Sequence, residues 1–264
     1  MAKMIGSGSG RRNLKQRVKT AKKRTVSQTR WLQRQLNDPY VAEARRLGLR
    51  SRAAFKLAEI EDKYGFLKAG AVVVDLGAAP GGWSLIAAKR VKSVVAPGSK
   101  GQGNKGQVVA IDVSQMEPIA GVDLLHLDFM AEEAPDKLKA LMREGSADVV
   151  LSDMAAPTTG HNRTDHLRIM ALAETAALFA CEVLRPGGVF LCKVLQGGTE
   201  RDLLNQLKRD FAKVRHVKPA ASRSDSAELY VLATGFRGDN AVAGANDGEG
   251  GDDSGEGKTG ARRD

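Results

Sequence analysis

Residues Val72–Trp83 read Val-Val-Val-Asp-Leu-Gly-Ala-Ala-Pro-Gly-Gly-Trp. A β-branched run ends in aspartate and breaks into a loop carrying Gly77, Gly81 and Gly82. An apolar-periodic stretch follows from Ser84 to Val91. The order is buried strand, tight turn and helix start, the opening unit of a nucleotide-binding α/β domain. Glycine suits such a turn because a side chain would hold the backbone away from a ligand, and because the turn can require positive φ. The spacing argues against two common phosphate loops. Ala-Ala-Pro separates Gly77 from Gly81, unlike a G-x-G-x-x-G loop, and no Lys-Ser/Thr pair follows as in a P-loop.

Further along, strands are expected near residues 72, 108, 122, 147, 189, 214 and 228. Helices are expected over 84–91, 131–143, 164–184 and 199–211, with Thr164 as a cap and Arg185-Pro-Gly-Gly as a stop. Val108–Ile111 ends at Asp112, Val122–Leu127 runs into Asp128, and Ala147–Leu151 leads to Asp153. With Asp75, these place four carboxylates at or just beyond strand ends, where an open parallel sheet binds its ligands. Lys193 interrupts the apolar strand Val189–Val194. A lysine there needs a partner or loses its proton, which makes Lys193 the strongest catalytic candidate readable from the residues alone. Lys56 reads differently. It lies in a helix capped by Ser51, with Ala54, Phe55, Leu57, Ala58 and Ile60 as the apolar face, and so reads as a solvated lysine.

Charge divides the 264 residues into three parts. The chain carries +10 overall, yet residues 1–50 hold 14 Lys and Arg against 2 Asp and Glu, and residues 238–264 hold 3 basic against 7 acidic residues. The expected organisation is a basic flexible arm over 1–26, a catalytic domain over 27–237, and an acidic, Gly-rich disordered tail over 238–264. Arg11–Arg30 is either a disordered arm or a helix formed on RNA, and its grip on phosphates would weaken with salt. Trp31, Leu32, Leu36 and Tyr40 recur at helical spacing, read as packing onto the body in preference to base stacking. Pro97–Gly106 is a polar loop that looks like an insertion. Cys181 and Cys192 are the only cysteines and form no cluster, so no metal site and a reducing compartment are expected. No secretory start and no run of ~18 apolar residues occurs, which suits a soluble, cytoplasmic protein without membrane contact.

The segment Asp-Leu-Gly-Ala-Ala-Pro-Gly-Gly-Trp resembles motif I of the S-adenosylmethionine (SAM) dependent methyltransferases, and the RrmJ/FtsJ (RlmE) ribose methyltransferases in particular. Other segments match that family in order, over about residues 27–236: Gly-Leu-Arg-Ser-Arg-Ala-Ala-Phe-Lys-Leu around Lys56, His-Leu-Asp-Phe around Asp128, and the stretch from Pro219 to Glu228. Asp153-Met-Ala-Ala-Pro departs slightly from the commonest family wording but keeps its aspartate and proline. The resemblance implies a Rossmann-like methyltransferase fold: α/β, a seven-stranded mostly parallel sheet with one antiparallel strand, and helices on both faces. It also implies a catalytic Lys-Asp-Lys-Glu tetrad at Lys56, Asp153, Lys193 and Glu228. Cofactor contacts fall at Asp75, Gly77, Pro80, Gly81, Trp83, Asp112, Asp128 and Asp153, with Asp128 against the adenine.

By the same resemblance, the reaction is methyl transfer from SAM to the ribose 2′-hydroxyl of a uridine in large-subunit (23S) rRNA. The A-loop of the 50S particle is the expected target, and a monomer the expected state. Three rivals remain at this level: a tRNA or cap ribose methyltransferase, a non-catalytic RNA-binding assembly factor, and an NAD oxidoreductase, which the glycine spacing disfavours.

Overall fold

The computed structural model describes residues 17–94, 105–196, 201–223 and 226–238. The expectations for residues 1–16, for nearly all of the Pro97–Gly106 loop and for the tail from 239 onward lie outside the described residues.

The β-branched run becomes β1 (Val72–Leu76), buried along its whole length as a strand with parallel neighbours on both sides requires. It pairs in parallel with β2 (Gln107–Asp112) and β4 (Ala147–Ser152). β3 (Val122–His126) extends the sheet beyond β2, and β5 (Leu184–Leu195) extends it beyond β4. A hairpin of β6 (Phe211–Val217) and β7 (Glu228–Phe236) completes the order β3-β2-β1-β4-β5-β7-β6. β7 runs antiparallel to both of its neighbours. This is the seven-stranded, mostly parallel sheet expected, with one antiparallel strand.

Alternation along the strands divides the core. Val72, Val74, Leu76 and Phe190 face α5 (Ala134–Leu141), α6 (Asn162–Val183) and α7 (Arg201–Asp210). Val73, Leu191 and Tyr230 face α3 (Ala53–Tyr64) and α4 (Gly82–Val91), meeting Leu57, Ile60, Trp83 and Ala87. Two further helices, α1 (Val26–Leu36) and α2 (Pro39–Arg46), precede this body.

Several local expectations change. Ser51 makes no capping bond; Arg52 holds the N-cap position of α3, and the Ser51 hydroxyl is buried without a partner. Thr164 lies inside α6, and the preceding loop is instead gathered by Asp165, which accepts from the hydroxyls of Thr158 (2.6 Å) and Thr159 (2.7 Å). α5 starts late because Pro135, with fixed φ and no N–H, suits only a first turn. Leu184 already pairs with Ala147, so Arg185–Gly188 is taken up as an irregularity within β5 after α6 has ended. Of the run expected to pack onto the body, Tyr40 sets its ring against Phe55 of α3 at 5.4 Å, whereas Trp31 is left 53% exposed. No helix among the described residues is long and apolar enough to cross a membrane.

Candidate active site

Sheet register assembles the site. Lys193 on β5 lies directly opposite Tyr230 on β7, and the two-residue strand period puts Glu228 on the same face as Tyr230. Ser152 pairs with Cys192, so Asp153, one residue past β4, falls beside Lys193. α3 crosses this face and brings Lys56 from the far end of the sequence.

Lys193 Nζ donates to the Asp153 carbonyl at 2.6 Å and to Asp153 Oδ1 at 3.0 Å. Lys56 Nζ donates to Glu228 Oε1 at 2.5 Å and to the Tyr230 hydroxyl at 3.1 Å. The Tyr230 hydroxyl donates to Asp153 Oδ1 at 2.8 Å, which joins the two ion pairs into one network. Glu228 also accepts from Ser222 Oγ at 3.1 Å. The four predicted tetrad residues therefore meet, with side chains 9–18% exposed. Tyr230 is a member the sequence reading missed, although its place two residues after Glu228 in an alternating strand was a signal for it.

Charge in this network is balanced. Burial pushes the Asp153 carboxyl up, but the neighbouring Lys193 and Lys56 cations outweigh it and hold the group below the usual carboxylate range. Burial, reinforced by Asp153 and Glu228, raises the Tyr230 phenol well above its ordinary value, so it stays a neutral donor.

The glycine loop sits beside this network. Gly77 adopts φ +76°, and a Cβ there would stand 2.6 Å from Met154 Cγ, so the loop can pass Met154 only as glycine. Gly81, at φ +99°, is the N-cap of α4, and the Ala79–Pro80 bond is cis. Asp112 fastens the loop by accepting from Ala79 N at 2.9 Å. Arg50 holds its other side, donating to the carbonyls of Pro80 (3.4 Å) and Pro118 (2.6 Å). Trp83 is buried, its indole N–H donating to Ala53 O at 2.9 Å and its ring tilted against Tyr230 at 5.5 Å. Trp83 thereby ties α4 to the helix that carries Lys56.

Asp75 is fully buried on the α4 side, where Oδ2 accepts from Ser84 Oγ at 2.5 Å and Oδ1 has no donor. Burial, with Asp153 and Asp112 nearby, pushes its carboxyl up to about 7 against the opposing Ser84 bond. Asp128 stands apart from the tetrad, exposed beyond β3, where it accepts from Met130 N at 2.9 Å. A separate surface groove of about 440 Å³ is lined by Lys105, Gln107, Asp123 and Arg143, with Gln107 Nε2 donating to Asp123 Oδ2 at 3.1 Å and Gln107 Oε1 accepting from Arg143 N at 2.9 Å. No group of three or more His, Cys, Asp or Glu able to hold a metal occurs among the described residues.

The family description FtsJ-like methyltransferase matches residues 49–236, which span the whole sheet and every residue of this network. The chain belongs to the FtsJ-like methyltransferase family. Its similarity extends to proteins named ribosomal RNA large subunit methyltransferase E. The one from Parvibaculum lavamentivorans is 63% identical over 234 residues, covering 88% of this chain and 91% of the relative. The one from Bradyrhizobium diazoefficiens is 65% identical over 221 residues, covering 84% and 93%. A crystal structure of a ribosomal RNA methyltransferase from Plasmodium falciparum superposes with TM-score 0.61 at 29% identity, covering 72% of this chain and 99% of that one. In this FtsJ-like chain the helices α1 and α2 precede the matched region.

Proposed function

We propose that this chain transfers a methyl group from SAM to the 2′-hydroxyl of a uridine ribose in large-subunit rRNA, with the A-loop of the 50S particle as target. The observation that carries this reading is the clasp of Lys193 Nζ by two oxygens of Asp153, beside a second lysine held by Glu228. The relatives named for large-subunit rRNA direct the choice of substrate.

The residues present fit the cofactor. Asp75 Oδ1 is a buried acceptor without a donor, and Asp112 and Asp153 bring further negative charge to the same strand ends, a setting suited to a cationic ligand. The first N–H groups of α4, including that of Trp83, lack helical partners and favour a polar or anionic ligand group. Gly77, Pro80 and Gly81 shape the loop between them, and Asp128 lies beyond β3 as the adenine contact. When bound, SAM supplies a methyl group already activated by sulfonium charge.

A ribose hydroxyl is a weak nucleophile at neutral pH, so the chain must align it and receive its proton. Lys193 Nζ, aimed by Asp153, is the group that orients the ribose hydroxyl or, in its neutral form, takes its proton. Tyr230 fixes the Asp153 carboxylate through its hydroxyl, and Glu228 holds Lys56 toward the phosphate beside the target. Residues 27–237 form the catalytic unit, with 1–26 as an RNA-gripping arm and 238–264 as an acidic tail.

The test is transfer of labelled methyl from SAM to undermethylated 50S particles, naked large-subunit RNA and tRNA, with products mapped by mass spectrometry. The expected product is 2′-O-methyluridine in the A-loop, and Lys193→Ala is expected to abolish it while SAM still binds. Label in tRNA would change the substrate. No label anywhere, with SAM bound, would make the chain a binding factor. Full activity of Lys193→Ala would remove that residue from the mechanism.

A further inference from the structure

Trp31 is the one large ring this fold leaves in solvent among its described tryptophans. It is 53% exposed, whereas Trp83 is 2% exposed. Burying an indole is among the larger hydrophobic gains open to a chain, and Trp31 shares α1 with two further exposed apolar side chains, Val26 and Leu36. Among the described residues no aromatic ring or cation stacks on it.

Its setting indicates what that partner is. Between residues 17 and 37 the chain carries seven Lys and Arg and not one Asp or Glu. None of those cations has a carboxylate partner among the described residues. The segment is held in place. Thr25 caps α1 through a reciprocal capping box with Gln28, and Val18 N donates to Gln33 Oε1 at 3.2 Å, folding the residues before α1 back along it. Arg34 lies one turn after Trp31 on the same helix face, and Gln28 one turn before it. A surface groove of about 310 Å³ runs between Arg24, Gln28, Trp31 and Leu32. An exposed indole in a groove edged by Arg24, a cation that among the described residues bonds only the Thr20 hydroxyl and no carboxylate, matches the chemistry of unpaired nucleotides, whose bases stack on a ring while their phosphates meet basic side chains. An acidic protein segment would satisfy the cations but leaves the flat face of the indole without its natural counterpart.

We infer that α1 is a stacking platform for an unpaired base of the RNA substrate, with Trp31 under the base and Arg24 and Arg34 on the flanking phosphates. The inference rests on RNA being the substrate. It places a second RNA contact before the residues matched by the FtsJ-like family, 49–236, and away from the tetrad.

The experiment measures binding of the full chain to a short fluorescein-labelled oligouridylate and to undermethylated large-subunit RNA, across a salt series. Trp31→Ala is expected to lose roughly tenfold or more in affinity for both, and Trp31→Phe to restore most of it. The salt dependence of Trp31→Ala should match that of the parent, because stacking neutralises no phosphate. Arg24→Ala should instead reduce the salt slope by about one. Fluorescence of the unaltered chain should be quenched by the oligouridylate, with Trp31→Phe as the blank that leaves Trp83 alone.

Unchanged RNA affinity in Trp31→Ala, with a lowered melting temperature, would mean that the ring packs under another part of the chain. Loss confined to the large-subunit RNA, with oligouridylate binding unchanged, would mean that the helix meets folded RNA and not an unpaired base. Either result overturns the platform, as does an absence of quenching. These readouts need no methyl transfer. A chain that binds through Trp31 but methylates no large-subunit RNA would defeat the proposed reaction and leave the platform standing.

Discussion

The Tyr230 hydroxyl donates to Asp153 Oδ1 at 2.8 Å while accepting from Lys56 Nζ at 3.1 Å. A single neutral phenol thus couples a lysine–carboxylate pair drawn from adjacent parallel strands to another drawn from a helix and the antiparallel strand. Glu228 Oε1 lies farther off at 3.4 Å, so the one phenolic proton belongs with Asp153.

Tyr230→Phe keeps the ring against Trp83 and removes only this coupling. Hydrogen bonds to charged groups contribute about 1.5–3 kcal/mol, so methyl transfer should slow about tenfold or more. SAM affinity should stay within about twofold. Single-turnover rates and isothermal titration of SAM check both, and an unchanged rate would show that the ion pairs act independently.

Asp75 predicts a pH dependence. Its carboxyl sits at about 7 in the folded chain, well above the ordinary carboxylate value of the unfolded one. The folded state therefore binds this proton more tightly. The stability it contributes is full below about pH 4 and is lost as the pH rises toward about 7. Asp75→Asn should remove that decline, gaining on the parent by up to about 4 kcal/mol between those limits. Urea unfolding of both proteins across the range is the measurement. Parallel curves would show that Asp75 titrates like an exposed carboxylate.

Gly82 sets the distance between α3 and α4. A Cβ there would lie 2.3 Å from Ser51 Oγ and 3.2 Å from Ala54 N. Gly82→Ala should cost about 1–3 kcal/mol by overpacking, and lower activity because α3 carries Lys56. Ser51→Ala in the same chain should recover part of the stability by removing the nearer clash. Denaturant midpoints of the two variants decide it.

Asp38 ties the helices before the body to the segment before β7. It accepts from Arg52 and, at 3.4 Å, from Arg223, and caps α2 through Tyr40 N at 3.0 Å. The Asp38 and Arg52 side chains are only 8% and 15% exposed. Asp38→Ala leaves a buried guanidinium without its anion, and should destabilise the fold by about 3 kcal/mol. Asp38→Asn, which retains an acceptor and the cap, should lose less. A thermal or chemical melt of the pair tests the ranking.

Much of this was legible in the residues. The β1 run, the glycine loop and the lysine inside an apolar strand follow from short-range periodicity and from the cost of burying charge, which act the same in any fold. The tetrad was legible only through family resemblance, since Lys56 by itself resembles any helical lysine. Ser51 and Thr164 were misread as caps because many hydroxyls near a helix start look alike, and only backbone geometry selects one.

By itself the sequence determined the strand-and-loop frame, the carboxylates at its strand ends and the basic character of the N-terminal segment. Each of these depends on neighbours a few positions away. Tertiary structure decided the rest: that Tyr230 joins the ion pairs, that Asp75 Oδ1 is left without a donor, and that Trp31 faces solvent. The reason is distance along the chain. Lys193 and Asp153 are 40 residues apart, and Lys56 and Glu228 are 172 apart. What unites them is the register of β5 with β4 and β7, together with the packing of α3 across that face.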